Sequence, residues 1–196
     1  MDREKIIAGV KLILEGIGED LGREGLVRTP ERMAEYLEEA LAGYAEDPTQ
    51  ELARYTTSNK DEMIILKDIS FYSLCEHHLL PFFGKVHIAY IPQNDKVAGF
   101  SNMVRVVEIL ARRLQVQERM TTDIADAMIQ AISPKGVLIV VEAEHLCLTM
   151  RGIKKPGSKI VTSAVRGMMR RIATRNEALR SEERRVGKEC RSRGAP

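Results

Sequence analysis

Two short segments carry the densest chemistry in this sequence. Cys75-Glu76-His77-His78 sets a thiol, a carboxylate and two imidazoles in a row, inside a largely apolar stretch from Ile69 to Phe83. Far downstream, His145-Leu146-Cys147 supplies a further imidazole and thiol. Thiolate and imidazole are preferred zinc ligands, and a Cys and a His separated by two residues can reach one ion. Along a strand, residues two apart share a face. His145 and Cys147 are therefore expected to point the same way, on the face of Ile139 and Val141. Cys75 and His78 differ by an odd number, so a bend near His77 is needed to aim both at one ion. Cys75, His78 and Cys147 then make three protein ligands. Three ligands plus an open position describe a catalytic zinc. A fourth ligand from His77 or His145 would make it a structural staple, and a third reading is two ordinary buried thiols with no metal. A zinc with spare imidazoles has a definite use. The ion lowers the pKa of bound water towards ~7, and nearby histidines move protons to and from leaving groups. That is a hydrolytic site for an unreactive carbon.

Other residues could hold an anionic substrate against such a site. Gly99-Phe100-Ser101-Asn102 opens a helical pattern, and the free N–H groups of a helix N-terminus attract phosphate. Arg105 lies one turn further on the same side, Arg32 follows Thr29-Pro30, and Arg151 follows Cys147 closely. The planar guanidinium fork suits phosphate oxygens, although any one of these arginines also reads as a solvated surface charge. Gln115-Val116-Gln117-Glu118-Arg119 is either a polar helix junction or a recognition element. In the second reading the carboxylate of Glu118 accepts paired hydrogen bonds from a guanine's N1 and N2 donors.

The frame that must position these residues follows from periodicity. The chain has 196 residues, 44% hydrophobic, which suits one domain with a helical appendage. A formal net charge of +2 and an aromatic content of 5% argue against nucleic-acid binding. The N-terminus carries neither a signal-type apolar block nor a membrane span, and three unpaired cysteines fit a reducing compartment, so the expected location is the cytoplasm. Ile6 to Ile17 repeat at helical spacing, with Gly16 and Gly18 to end the helix. Thr29-Pro30 predicts an N-cap and first position for a second helix with an apolar stripe of Met33, Leu37, Ala40 and Leu41, stopped by Gly43. Residues 45–61 read as a loop. Strands are expected over 63–75 and 85–92, with Phe82-Phe83-Gly84 between them and a turn at 93–96. Ser101 is expected to cap a helix through Leu110, and a second helix runs through Met120, Ile124, Met128 and Ile132 to Pro134. Strands over 136–148 and 159–164 precede a helix over 167–179. Paired strands with helices inserted predict an α+β domain with an antiparallel sheet. The expected division is a helical region and linker over 1–61, a catalytic domain over 62–179 and a tail over 180–196.

Five motifs in one colinear order resemble the GTP cyclohydrolase I family: Thr29-Pro30-Glu31-Arg32, Ser73 to His78, Gly84 to Pro92, Arg113 to Arg119, and His145-Leu146-Cys147 with Met150-Arg151-Gly152. The resemblance runs from about Gly25 to Leu179. It implies the tunnelling fold, an antiparallel sheet with two helices packed on it, assembled as a homodecamer of two pentameric rings with active sites between subunits. It implies conversion of GTP and water to 7,8-dihydroneopterin triphosphate and formate, with zinc-activated water attacking guanine C8. Carried over, Cys75, His78 and Cys147 resemble the zinc ligands, and His77 and His145 the proton-transfer residues. Glu118, helped by Gln117, resembles the guanine anchor. Ser101, Asn102, Arg105 and Arg151 resemble triphosphate and ribose contacts, with Arg32 reaching in from a neighbouring subunit. Glu76 has no chemical assignment and is expected to make structural hydrogen bonds. Two rivals remain: a tunnelling-fold enzyme of other chemistry, such as a nitrile reductase that uses a nucleophilic Cys, and a non-catalytic zinc-stapled oligomer.

The chain departs from that pattern in three places. Asn102 stands where the family usually has Lys, which predicts weaker triphosphate binding, with Lys96 or Lys85 as substitutes if they lie nearby. Phe100 stands for the more usual Leu, a modest packing change. Residues 180–196 read as the translation of a sequencing-library adapter rather than evolved sequence, which makes Cys190 a bystander. Truncation after Leu179 is expected to leave turnover unchanged in a steady-state assay; a large loss would give the tail a role.

Overall fold

The structure is a computed structural model that describes residues 1–52, 54–56, 62–93 and 96–179. The expected tail over 180–196, and Cys190 with it, lies outside these residues.

Helix α1 spans Arg3–Gly16. Asp2 caps it through a hydrogen bond from the Lys5 N–H, and Gly18 at φ +82° closes it, as a C-terminal glycine should. Helix α2 spans Thr29–Ala40 and packs on α1. Its cap is Arg28, not Thr29. Thr29 already lies in the helix, its hydroxyl donating to the Gly25 carbonyl at 3.4 Å. The expected stripe is also turned: Pro30 and Ala34 are buried, whereas Met33 is 39% exposed. Gly43 follows in a short 3-10 turn, Ala42–Ala45. A Cβ there would meet the Ile109 carbonyl oxygen at 2.0 Å, so close approach to helix α3 (Phe100–Ala111) explains the glycine.

Residues 45–61 are not wholly loop. Strand β1, Arg54–Thr56, pairs antiparallel with a strand over Lys96–Ala98. Between them run β2, Ile64–Cys75, and β3, Pro81–Ile91. Phe82, Phe83 and Gly84 thus lie within β3 rather than before it. Strand β4 is Lys96–Ala98, β5 is Leu114–Gln115, β6 is Gly136–His145 and β7 is Ile160–Gly167. The main sheet has the order β5-β2-β3-β6-β7. Its four long strands are antiparallel, as expected; β5 adds a parallel edge to β2 that was not.

Alternation decides what this sheet covers. Val86, Ile88 and Tyr90 on β3, with Val137, Ile139 and Val141 on β6, are fully buried on one face. That face packs against α3 and helix α4, Gln117–Ile132, through Met103, Val106, Met120, Ile124 and Met128. The opposite face buries Ala89, Leu138 and Met169, with Ala178 from a C-terminal helix over 172–179. β3 and β6 are therefore apolar on both sides, which is why they read as nearly unbroken hydrophobic runs. Helix α3 starts at Phe100 with Gly99 as cap and no side-chain cap bond, so Ser101 sits inside the first turn instead of capping it. Among the described residues no helix is long and apolar enough to cross a membrane.

Candidate metal centre

The hook is built by backbone geometry at the end of β2. The Cys75 N–H donates to the Leu80 carbonyl at 2.9 Å, and the Cys75 carbonyl accepts from Leu79 at 2.9 Å and His78 at 3.4 Å. Leu79 takes a left-handed φ of +54° to close this turn. The bend required by the odd spacing of Cys75 and His78 is present. The Glu76 N–H donates to Gln115 on β5 at 3.0 Å, which fastens the turn to the sheet edge.

Glu76 acquires the structural role expected of it, with a partner the sequence did not disclose. Its carboxylate accepts from Arg119 Nη2 at 2.5 Å. Arg119 also donates to Leu114 O at 2.7 Å and to Gln115 Oε1 at 3.1 Å. The guanidinium thereby clamps the hook to the first turn of α4, and its hydrogen bond holds the Glu76 carboxyl below the usual carboxylate range.

Cys147 arrives differently from the strand reading. β6 ends at His145, and Leu146–Thr149 form a single helical turn, α5. His145 and Cys147 therefore do not share a strand face. The helical turn nonetheless brings Cys147 to the hook: the ligating atoms of Cys75, His78 and Cys147 all lie within 4.8 Å of one another. Cys75 and Cys147 are free thiols. Burial pushes the Cys147 thiol pKa up, and the neighbouring Cys75 adds to the rise. Two thiols and an imidazole converging with that mutual penalty suit a soft or borderline divalent cation, which would favour both thiolates. The donor set fits zinc.

The two remaining histidines differ sharply. His77 is exposed, with Nδ1 3.9 Å from Cys75 Sγ and Nε2 3.9 Å from a Glu76 oxygen. His145 is 8% exposed. Its ring stacks on Phe82, its register partner on β3, with centroids 4.6 Å apart and planes 8° from parallel. Burial lowers its pKa, against the opposing pull of the Glu118 charge. His145 Nε2 lies 2.7 Å from Gln117 Oε1. The Gln117 side chain is engaged within the protein, while the adjacent Glu118 is exposed at the start of α4. Arg151 is exposed just beyond α5, and its charge acts on Cys147.

Three of the other expected anion contacts lie on helix α3. Asn102 Nδ2 donates to the Glu51 carbonyl at 2.7 Å. Arg105 pairs with Glu46 and, at 3.5 Å, with Glu108. Ser101 is exposed beside them. Arg32 is exposed on α2, near Met33 and Tyr36. Lys85 is no neighbour of this group; its ammonium donates to Ser70 Oγ at 2.7 Å on the sheet. The side chain of Lys96 lies outside the described residues.

A Cys-His-Cys cluster that could hold a metal ion lies beside a buried imidazole, at the rim of an α+β sheet carrying two helices. The chain belongs to the GTP cyclohydrolase I family, whose sequence profile matches residues 6–183. It is 57% identical over 180 residues to GTP cyclohydrolase 1 of Carboxydothermus hydrogenoformans, covering 91% of this chain and 94% of that protein. It is 56% identical over 179 residues to GTP cyclohydrolase 1 of Pelotomaculum thermopropionicum, covering 91% and 95%. Over 181 residues it is 52% identical to that of Clostridioides difficile, covering 91% and 95%.

Proposed function

We propose that this chain catalyses the reaction of its family, opening the imidazole ring of GTP at C8, releasing formate and yielding 7,8-dihydroneopterin triphosphate. The observation that carries this reading is the convergence of Cys75, His78 and Cys147 within 4.8 Å, with the buried His145 two residues from Cys147. Zinc held by those three side chains would supply a water acidic enough to be hydroxide near neutral pH. The protein's own groups do the rest. Glu118 offers an exposed carboxylate to the guanine N1 and N2 donors. His145, buried and held by Phe82, accepts or returns a proton at the reacting base. His77, exposed to solvent, serves the second proton transfer. Arg151 lies on the same rim and suits ribose or phosphate oxygens.

Ser101, Asn102 and Arg105 belong to the triphosphate site in this reading, with Arg32 reaching in from a neighbouring subunit. Arg32 stands on α2 and the other three on α3, which fits a site shared between subunits. We place the protein in the cytoplasm as a homodecamer of two pentameric rings. Arg105 is already paired with two carboxylates, so a triphosphate must displace them. Asn102 brings no charge. Replacing it with Lys restores a cation at the cost of the Glu51 clasp. KM for GTP is expected to fall roughly three- to tenfold, the scale of one net hydrogen bond of about 1 kcal/mol. An unchanged KM would remove Asn102 from the phosphate site.

The direct test is incubation of zinc-loaded protein with GTP. Formate should appear in step with a product that becomes a fluorescent pterin after oxidation. Zinc at one per subunit with neither product would overturn the proposal and favour a zinc-stapled oligomer.

A further inference from the structure

Gln117 is almost wholly buried, at 1% exposure, on the first turn of α4. A glutamine in such a place must satisfy both ends of its amide. Its Nε2 lies 3.0 Å from the Val141 carbonyl, 3.0 Å from the Ile160 carbonyl and 3.1 Å from Thr162 Oγ1. Backbone carbonyls only accept. The nitrogen therefore faces them, because a reversed amide would set its oxygen against two carbonyl oxygens. The hydroxyls agree with this polarity. Thr121 Oγ1 donates to the Gln117 main-chain carbonyl at 2.6 Å, which uses its one proton. In the 2.7 Å contact between Thr121 and Thr162, Thr162 is then the donor. Thr162 thus keeps a lone pair free to accept from Gln117 Nε2.

It follows that Oε1 of Gln117 faces His145. An amide oxygen carries no proton, so the 2.7 Å contact requires one on His145 Nε2. We infer that Gln117 is a positioning residue that fixes His145 as its Nε2–H tautomer, leaving Nδ1 as the ring atom that exchanges the reacting proton. The Phe82 stack fixes the plane of the ring, and Gln117 fixes its rotation within that plane. Four acceptors and donors on β6, β7 and α4 thereby set the protonation of one atom at the rim of the metal centre. The proton on Nε2 rests on the hydrogen-bond geometry alone. The assignment of Nδ1 to proton transfer rests additionally on the proposed reaction.

The two parts separate experimentally. The chain contains four histidines, so nitrogen spectra of zinc-loaded, ¹⁵N-histidine-labelled protein by solid-state NMR are sparse. The His145 signal, assigned by its loss in His145→Asn, should show a protonated Nε2 and an unprotonated Nδ1. A protonated Nδ1 with a bare Nε2 would overturn the inference whatever the activity. A protonated Nε2 without pterin formation would leave the tautomer standing and sink the functional reading alone. Gln117→Met keeps the length and removes the acceptor. The Nε2–H signal should give way to a tautomer mixture, with kcat falling roughly ten- to hundredfold and KM for GTP within about twofold, the split expected for a proton-transfer defect. An altered tautomer with unchanged kcat would overturn the assignment of Nδ1. Should this variant fail to assemble, the wild-type spectrum still decides the tautomer.

Discussion

Replacing Cys147 with serine should abolish turnover while leaving the fold standing. The two effects separate because of where Cys147 sits. It lies on the single-turn helix α5, partly buried against the edge of the main core rather than inside it. Exchanging its sulfur for oxygen removes little apolar surface, about 1 kcal/mol or less. It also relieves the crowding with Cys75 that raises the thiol pKa. In the proposed zinc centre the loss falls on the metal. A neutral hydroxyl is a poor substitute for thiolate in a site of three protein ligands, and two remaining ligands hold zinc weakly. Loss of an outer-shell partner commonly costs ten- to a hundredfold, so loss of a ligand should cost about a thousandfold or more in kcat/KM. Elemental analysis should give zinc well below one per subunit, and the metal-free variant and metal-free wild type should melt within a few degrees of each other. Wild-type zinc content with wild-type turnover would remove Cys147 from the centre. Cys75→Ser should lose the same activity but cost more stability, since Cys75 is 5% exposed and part of the core cluster.

The residue types of this centre were legible because thiols and imidazoles inside an apolar run have few other uses. The path that joins them was not. Strand parity put His145 and Cys147 on one face, whereas the chain leaves the sheet between them. A one-turn helix such as Leu146–Thr149 is too short to leave a periodic signature. The same limit hid β1, β4 and β5, none longer than three residues. The long strands and helices were visible because they alternate or repeat over eight residues or more. Helix starts were misread at Thr29 and Ser101, where a hydroxyl one or two places inside the helix imitates a cap. The pairs that lock the site are invisible in a different way. Glu76–Arg119, His145–Gln117 and Asn102–Glu51 join residues far apart in the chain, and no local pattern announces them. Gln117 stood beside a proposed base anchor, and only the placement of Val141 and Ile160 shows that its amide is turned inward.

Gly84→Ala should be among the most destabilising single-methyl additions in this protein. Gly84 lies on β3, paired with Phe71 on β2 and Ala143 on β6. A Cβ built there would stand 1.9 Å from the Glu142 carbonyl oxygen and 2.7 Å from Ala143 Cα. Both obstacles are backbone, so no rotamer change relieves them. β3 and β6 must part by a distance of the order of an ångström, which weakens their ladder. The strain falls two register positions from Phe82 and His145, so the stack that orients the imidazole should loosen too. A cost of about 3 kcal/mol or more is expected, seen as a fall in Tm of roughly 6–12 °C for a chain of this size. Turnover should fall further than the folded fraction does. Gly9→Ala provides the opposite sign. Gly9 is in the interior of α1 with nothing within 4 Å of an added Cβ. There the methyl group only restricts the unfolded chain and favours the helix, raising stability by about 0.5–1 kcal/mol. Thermal melts of the two variants, made from the same background, therefore distinguish close backbone approach from conformational freedom as the reason each glycine is present. A Tm for Gly84→Ala within two degrees of wild type would show that the two strands yield more readily than their pairing implies.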